Sequence, residues 1–341
     1  MTAAGVSAWA ALPDERTIRA PWWLPGGQAQ TIWPALAARH RLGAPPQWRR
    51  ERWITPDGDF VDADWLVATP AGSPRGLVVL FHGLEGSSAS HYATAFADWA
   101  ARHQYAMVVP HFRGCSGELN LAPRAYHSGD FVEIGWMLDQ VRQRHDGPAV
   151  AVGVSLGGNA LLRWAQEAGR TASDSVQALA SICAPLDLAA SGQAIGRGLN
   201  RCIYTPMFLR SMKPKALAKL AQHPGLFDVS RLQAARNLYE FDQVFTAPLH
   251  GFRGTDDYWR RASAQPRLAD ISLPALVLNP LNDPFVPASS LPRATEVGHH
   301  VQLWQPGTGG HVGFASGAWP GSVTSLPEAV MAWMKEHTHH G

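Results

Sequence analysis

The sequence predicts an α/β protein: a mostly parallel central sheet with helices on both faces and a helical insertion over one sheet edge. Three observations predict it. Short apolar runs rich in β-branched residues alternate with longer segments of helical periodicity. The runs are apolar throughout, as strands buried on both faces require. One long stretch, about 187–272, then interrupts the alternation with short helical pieces and no clear buried strand.

The elements follow in chain order. Arg52–Ile54 and Val61–Val67 alternate in polarity and are expected as antiparallel strands at one edge. Gly76–Phe81 reads as a fully buried strand, and His91–His103 as a helix with Tyr92, Phe96, Trp99 and Ala100 on one face. Ala106–Pro110 is the next strand, and a helix from about Gly129 to His145 presents Phe131, Ile134, Met137, Leu138 and Val141. Ala149–Val154 turns at once into a helix carrying Leu161, Leu162 and Trp164. Val176–Ile182, Ala275–Leu278 and His300–Trp304 complete the strands, and Pro327–Lys335 closes the chain with Pro in its first turn. The whole, 1–341, reads as a single domain with a cap-like insertion at about 187–272. That insertion is rich in aromatic and Met side chains, some of which are expected to line an apolar pocket.

Composition narrows the function. Of 341 residues 46% are apolar and 16% charged, enough for a large core. Lys and Arg number 29 against 27 Asp and Glu, a balance that argues against a dedicated nucleic-acid binder. The basic clusters Arg49–Arg52 and Lys213/Lys215/Lys219 are expected to be solvated faces. Cys115, Cys183 and Cys202 are odd in number and far apart, so no disulfide framework is expected, and a reducing compartment fits. The N-terminus lacks a basic region ahead of its weak apolar stretch. No run approaches the roughly 18 apolar residues of a transmembrane segment. A cytoplasmic protein is expected.

The chemistry concentrates in three places. Gly153-Val-Ser155-Leu-Gly157 fits GxSxG, weak as a bare pattern but placed where a buried strand turns into a helix, the setting of a nucleophile elbow. A serine needs a base, itself oriented by an acid, and the order after an elbow is Ser, acid, His. Asp283 follows the Ala275–Leu278 strand in a Pro-bounded loop. His311 follows the next strand, between glycines that give its loop conformational freedom. The residues therefore suggest Ser155, Asp283 and His311 as a triad. Backbone N–H groups of Leu156, after the nucleophile, and Leu84, in the His82–Ser87 loop, are the candidate oxyanion donors. A dinucleotide reading of Gly307–Gly313 fails on spacing and position, and neither a phosphate-loop lysine motif nor HExxH occurs. No cofactor and no metal are expected, and Cys115 reads as a structural thiol. His337, His339 and His340 read as a solvated chain end.

A longer series of motifs extends over most of the chain. It runs through Pro21-Trp-Trp-Leu-Pro25 with Gln30-Thr31, His82-Gly-Leu-Glu-Gly-Ser87, His111-Phe-Arg-Gly-Cys-Ser-Gly117 and Tyr126-His-Ser-Gly129. The Ser155 elbow, Tyr239-Glu-Phe-Asp242, Thr246-Ala-Pro-Leu-His-Gly251, Asn282-Asp-Pro284 and Gly309-Gly-His311 continue it. In this order the series resembles the α/β-hydrolase superfamily, and within it hydrolase family four, the YheT-type esterases. The resemblance implies an α/β-hydrolase fold with a helical cap and a Ser155/Asp283/His311 triad. It also implies hydrolysis of carboxylic esters, with relatives that transfer acyl groups to alcohols. One position departs: relatives often carry His two residues before the Gln-Thr pair, where Gln28 stands.

The expected function is a serine hydrolase cleaving short- to medium-chain acyl esters through an acyl-enzyme on Ser155. Its expected partner is a small-molecule ester, not nucleic acid. An alcohol acyltransferase or thioesterase would use the same triad. A binding protein keeping the fold without turnover is the reading from another class.

Overall fold

The computed structural model describes residues 12, 18–37, 45–67 and 73–338. The N-terminal stretch read for targeting signals, apart from Leu12, and His339 and His340 lie outside them. α1 (Gly26–Ala37) precedes β1 (Trp48–Ile54), β2 (Phe60–Leu66) and β3 (Leu77–Phe81). Then come α2 (His91–His103), β4 (Ala106–Pro110), α3 (Phe131–Arg142), β5 (Ala149–Val154), α4 (Leu156–Ala168), one-turn α5 (Ala172–Ser175) and β6 (Ala178–Ile182). Six helices follow without a strand: α6 (Leu188–Ile195), α7 (Gly198–Gln222), α8 (Val229–Ala234), α9 (Leu238–Val244), α10 (Thr246–Leu249) and α11 (Thr255–Ala262). β7 (Ala275–Leu278), β8 (Val301–Trp304) and α12 (Ser325–Thr338) end the chain.

The eight described strands form one sheet in the order β1-β2-β4-β3-β5-β6-β7-β8. β1 and β2 are antiparallel to their neighbours and the rest are parallel. Every residue of β3, β5, β6 and β7 is buried. The period-two geometry of a strand explains why. Leu77, Val79 and Phe81 point into a core shared with α3 and α4, and Val78 and Leu80 into one shared with α2 and α12. Both faces are covered, so both must be apolar. The α3 helix starts later than its periodicity predicts, at Phe131, because Asp130 before it takes φ −79° and ψ 62°, outside the helical range. Among the described residues no helix is long and apolar enough to cross a membrane.

Arg49, Arg50 and Arg52 are exposed, as expected of a solvated face, and the register adds a pairing that the cluster alone does not announce. Arg50 stands opposite Asp64 and Arg52 opposite Asp62, and each guanidinium forks onto its carboxylate at 2.8 and 2.9 Å. Cross-strand pairing converts the charges into a ladder holding the antiparallel edge. Beside it, Asp59 is buried and accepts from Asn120 Nδ2, Leu121 N, Phe60 N, Ala122 N and Arg113 Nη1. Burial alone would raise its pKa, but these donors outweigh burial and hold it at about 2. Since the folded value lies below that of an unfolded aspartate, Asp59 contributes stability that is present above pH ~4 and is lost as pH falls toward about 2. Urea unfolding at pH 6 and pH 3 should show a loss that shrinks by about 1–2 kcal/mol in Asp59→Asn. An unchanged pH dependence would assign the acid sensitivity elsewhere.

Candidate active site

β5 ends at Val154, and the next residue begins α4 with a reversal in which Ser155 takes φ 53° and ψ −120°. That conformation is strained for a residue with a side chain and persists because its neighbours over-determine it. A Cβ on Gly157 would stand 2.5 Å from the carbonyl oxygens of both Phe81 and His82, and one on Gly153 2.6 Å from Gly157 O. Glycine at these positions lets α4 press against the end of β3 and raises the Ser155 hydroxyl above the sheet.

The three residues proposed from the sequence converge. His311 Nε2 lies 2.9 Å from Ser155 Oγ, and His311 Nδ1 lies 2.8 Å from Asp283 Oδ2. A carboxylate can only accept, so Nδ1 carries the proton and donates to Asp283, leaving Nε2 to accept from the Ser155 hydroxyl. Asp283 Oδ1 accepts from Phe285 N at 2.7 Å and Val286 N at 3.3 Å, which fixes the carboxylate. The Phe285 ring packs 4.3 Å from the imidazole.

The loop that carries Leu84 is held on either side of that residue by two tyrosine hydroxyls. Gly83 N donates to Tyr92 Oη and Glu85 N to Tyr126 Oη, each at 2.9 Å. Leu84 N, between them, meets no acceptor among the described residues, and neither does Leu156 N at the start of α4. A Cβ on Gly83 would lie 3.2 Å from Ser155 Cβ, so this loop passes directly against the serine. His82 supports the loop from beneath. Its Nδ1 donates to Gly83 O at 2.8 Å, its Nε2 accepts from Phe112 N at 3.1 Å, and burial lowers its pKa to about 3, so it stays neutral.

Three groups of contacts around these residues have no local signal in the sequence. Gln30 Oε1 accepts from Gly309 N and Asn282 Nδ2, and Asn282 Oδ1 accepts from Gly310 N. Thr31 Oγ1 accepts from His311 N at 2.8 Å while donating to Gly27 O. The Gln30-Thr31 pair therefore pins the acid loop and the histidine loop to one helix. Gln30-Thr31 stands in the sequence as a motif of the family with no role attached. Gln28, the position that departs from relatives, bridges α1 to α7 by donating to Asn200 Oδ1 and accepting from Tyr204 Oη. Lys215 and Lys219 correct the expectation of a solvated basic face. Lys215 Nζ meets Glu85 Oε2 at 2.8 Å, and Lys219 is buried against Asn120 O and Gln222 Oε1. Burial lowers the Lys219 pKa to about 8. The pairing follows from α7 lying over the oxyanion loop, which no local pattern reveals.

These groups open into a cavity of about 1130 Å³, counting space open to solvent at its mouth. Ser155, Leu84, Leu156 and His311 line it from below, and Phe208, Met212, Phe241, Phe245 and Trp259 come from α6–α11. Phe241 and Phe245 also belong to a small core within those helices, so the insertion both packs on itself and walls the cavity. Cys183, Asp283 and His311 offer donor atoms within 4.8 Å of one another, but they do not suit a metal. The facing atoms of Asp283 and His311 bond each other, and burial pushes the Cys183 thiol well above its usual range, so no thiolate is available. Cys115 is likewise a buried thiol, raised to about 12 by burial.

Residues 76–201 match the family described as the alpha/beta hydrolase fold. The chain is 36% identical over 84% of its length, and 84% of the relative's, to YheT of Escherichia coli (strain K12), which is named as an esterase. It belongs to the YheT-type α/β hydrolases. Phospholipase ABHD3 of Homo sapiens is 27% identical over 94% of this chain and 78% of its own length. The esterase Pf2001 of Pyrococcus furiosus superposes with a TM-score of 0.53, covering 86% of this chain and 93% of that one at 15% identity, a likeness of fold. For a YheT-type hydrolase, Thr31 is expected to act through the position of His311. Thr31→Val should lower kcat about tenfold with KM unchanged, and Thr31→Ser should restore it. Full activity in Thr31→Val with loss in Thr31→Ser would mean that the methyl group's packing, not the hydroxyl, matters.

Proposed function

We propose that this protein is a carboxylic-ester hydrolase that works through an acyl-enzyme on Ser155, with α6–α11 acting as a cap over the acyl group. The observation that carries the reading is the hydrogen-bonded chain from Asp283 through His311 to Ser155 at the floor of an apolar cavity. Ser155 Oγ attacks the ester carbonyl carbon as its proton passes to His311 Nε2. Leu84 N–H and Leu156 N–H receive the negative oxygen, and Asp283 stabilises the imidazolium. The C–O bond to the alcohol breaks, His311 returns the proton to that oxygen, and water repeats the sequence on the acyl-enzyme. The names of relatives, an esterase and a phospholipase, agree with ester substrates.

The cavity sets the substrate. Its wall is mainly aromatic and aliphatic, so each buried methylene of an acyl chain should add up to about 0.8 kcal/mol until the space is filled. With nitrophenyl esters, kcat/KM should rise over the first few methylenes and then level or fall, and Ser155→Ala should abolish turnover throughout. A profile indifferent to length from acetyl to decanoyl would remove the cavity from the account. Turnover in purified Ser155→Ala would remove the acyl-enzyme.

A further inference from the structure

The loop that passes against Ser155 holds one residue in a conformation that its side chain does not favour. Gly83 to Gly86 form a turn closed by Gly86 N donating to Gly83 O at 2.9 Å, and Glu85 within it has φ 57°. A turn with positive φ at its third position ordinarily takes Gly or Asn there. A glutamate in that place is strained and persists only where its surroundings over-determine it.

Those surroundings are a clamp. Tyr126 Oη accepts from Glu85 N and donates to Glu85 Oε1, each at 2.9 Å, so one hydroxyl grips the residue at its backbone and at its side chain. The phenol ring is itself held, stacked on Phe112 with centroids 5.3 Å apart and planes 11° from parallel. Lys215 Nζ, from α7, meets the other carboxylate oxygen, Oε2, at 2.8 Å. Leu84 N–H lies between this clamp and the bond that Gly83 N gives to Tyr92 Oη. The same α7 walls the cavity with Phe208 and Met212. The ion pair therefore ties the wall of the cavity to the loop at its floor.

On the reading of Ser155 as nucleophile and Leu84 N–H as an oxyanion donor, we propose that Tyr126, Glu85 and Lys215 are positioning residues. Together they hold Leu84 N–H where the negative oxygen forms, and through Lys215 the cap helix α7 takes part in holding it. A donor stabilises developing charge most when it is already aimed at the place where that charge appears. Glycine would relax the turn at position 85, but it would give up both side-chain contacts of the clamp.

Nitrophenyl butyrate kinetics, beside the affinity of a hexyl trifluoromethyl ketone whose serine adduct carries the same negative oxygen, test this in the full chain. Tyr126→Phe keeps the stacked ring and removes both bonds to Glu85. Its kcat should fall about 10- to 100-fold with KM within about twofold, and ketone affinity should fall by the same factor as kcat/KM. Glu85→Gln keeps an acceptor for Tyr126 Oη but gives up the charge facing Lys215. It and Lys215→Met should each lower kcat about threefold to tenfold, and the double variant no further, because both break the same contact. Lys215 is partly exposed, so this pair decides the matter even where Tyr126→Phe does not fold. Full kcat in folded Tyr126→Phe, a loss confined to KM, a fall in kcat without a fall in ketone affinity, or additive losses in Glu85→Gln and Lys215→Met would overturn the proposal and leave Ser155 as the nucleophile. A wild type that neither turns over the ester nor binds the ketone would overturn the Ser155 reading along with it.

Discussion

Ser155→Ala and His311→Ala should each lower kcat about 10⁴- to 10⁶-fold and leave the fold intact. The size follows from what each residue does. Without the hydroxyl there is no atom to form the acyl-enzyme, and without the imidazole the hydroxyl keeps a proton it cannot lose at neutral pH. The fold should survive because Ser155 loses only its contact with His311 Nε2, and the His311 loop, beyond the packing of its ring on Phe285, is held through its backbone by Thr31 and Gln30. The double variant should be little worse than either single one, since the residues act as a unit. Circular dichroism beside single-turnover kinetics checks both halves. Additive losses would mean that the two residues serve separate steps.

Asp283→Asn should cost about 10⁴ in kcat for a different reason. The amide oxygen can still accept from Phe285 N and Val286 N, so the loop should keep its shape. The other end of the side chain then presents N–H instead of oxygen to His311 Nδ1. Nδ1 must become an acceptor, Nε2 takes the proton, and the base points its hydrogen at the serine. Substrate binding is not touched, so KM should change little. Near-normal turnover in folded Asp283→Asn would move the acid role to another carboxylate.

The parts of this site that could be read from sequence are those whose partners are close in the chain or whose burial leaves a local pattern. β3, β5 and β7 are contiguous apolar runs because both faces are covered, and the elbow is legible because crowding demands glycine at 153 and 157. Asp283 is legible because it follows the buried β7, and His311 because its glycine loop follows β8. The roles of Gln30 and Thr31 are not, since their partners at Gly309 and His311 lie 279 and 280 positions away and the family motif they form carries no role. Glu85 and Lys215 fail for the same reason: a charge reads as solvated until the element that covers it is known.

The central claim is that Ser155 is an activated nucleophile. Intact-mass analysis after brief treatment with a fluorophosphonate tests it most directly. A single phosphonyl adduct should appear, mapped to Ser155, at a rate lowered at least about 10³-fold in His311→Ala and absent in Ser155→Ala. No adduct on the folded wild-type protein, or an adduct on a different residue, would contradict it.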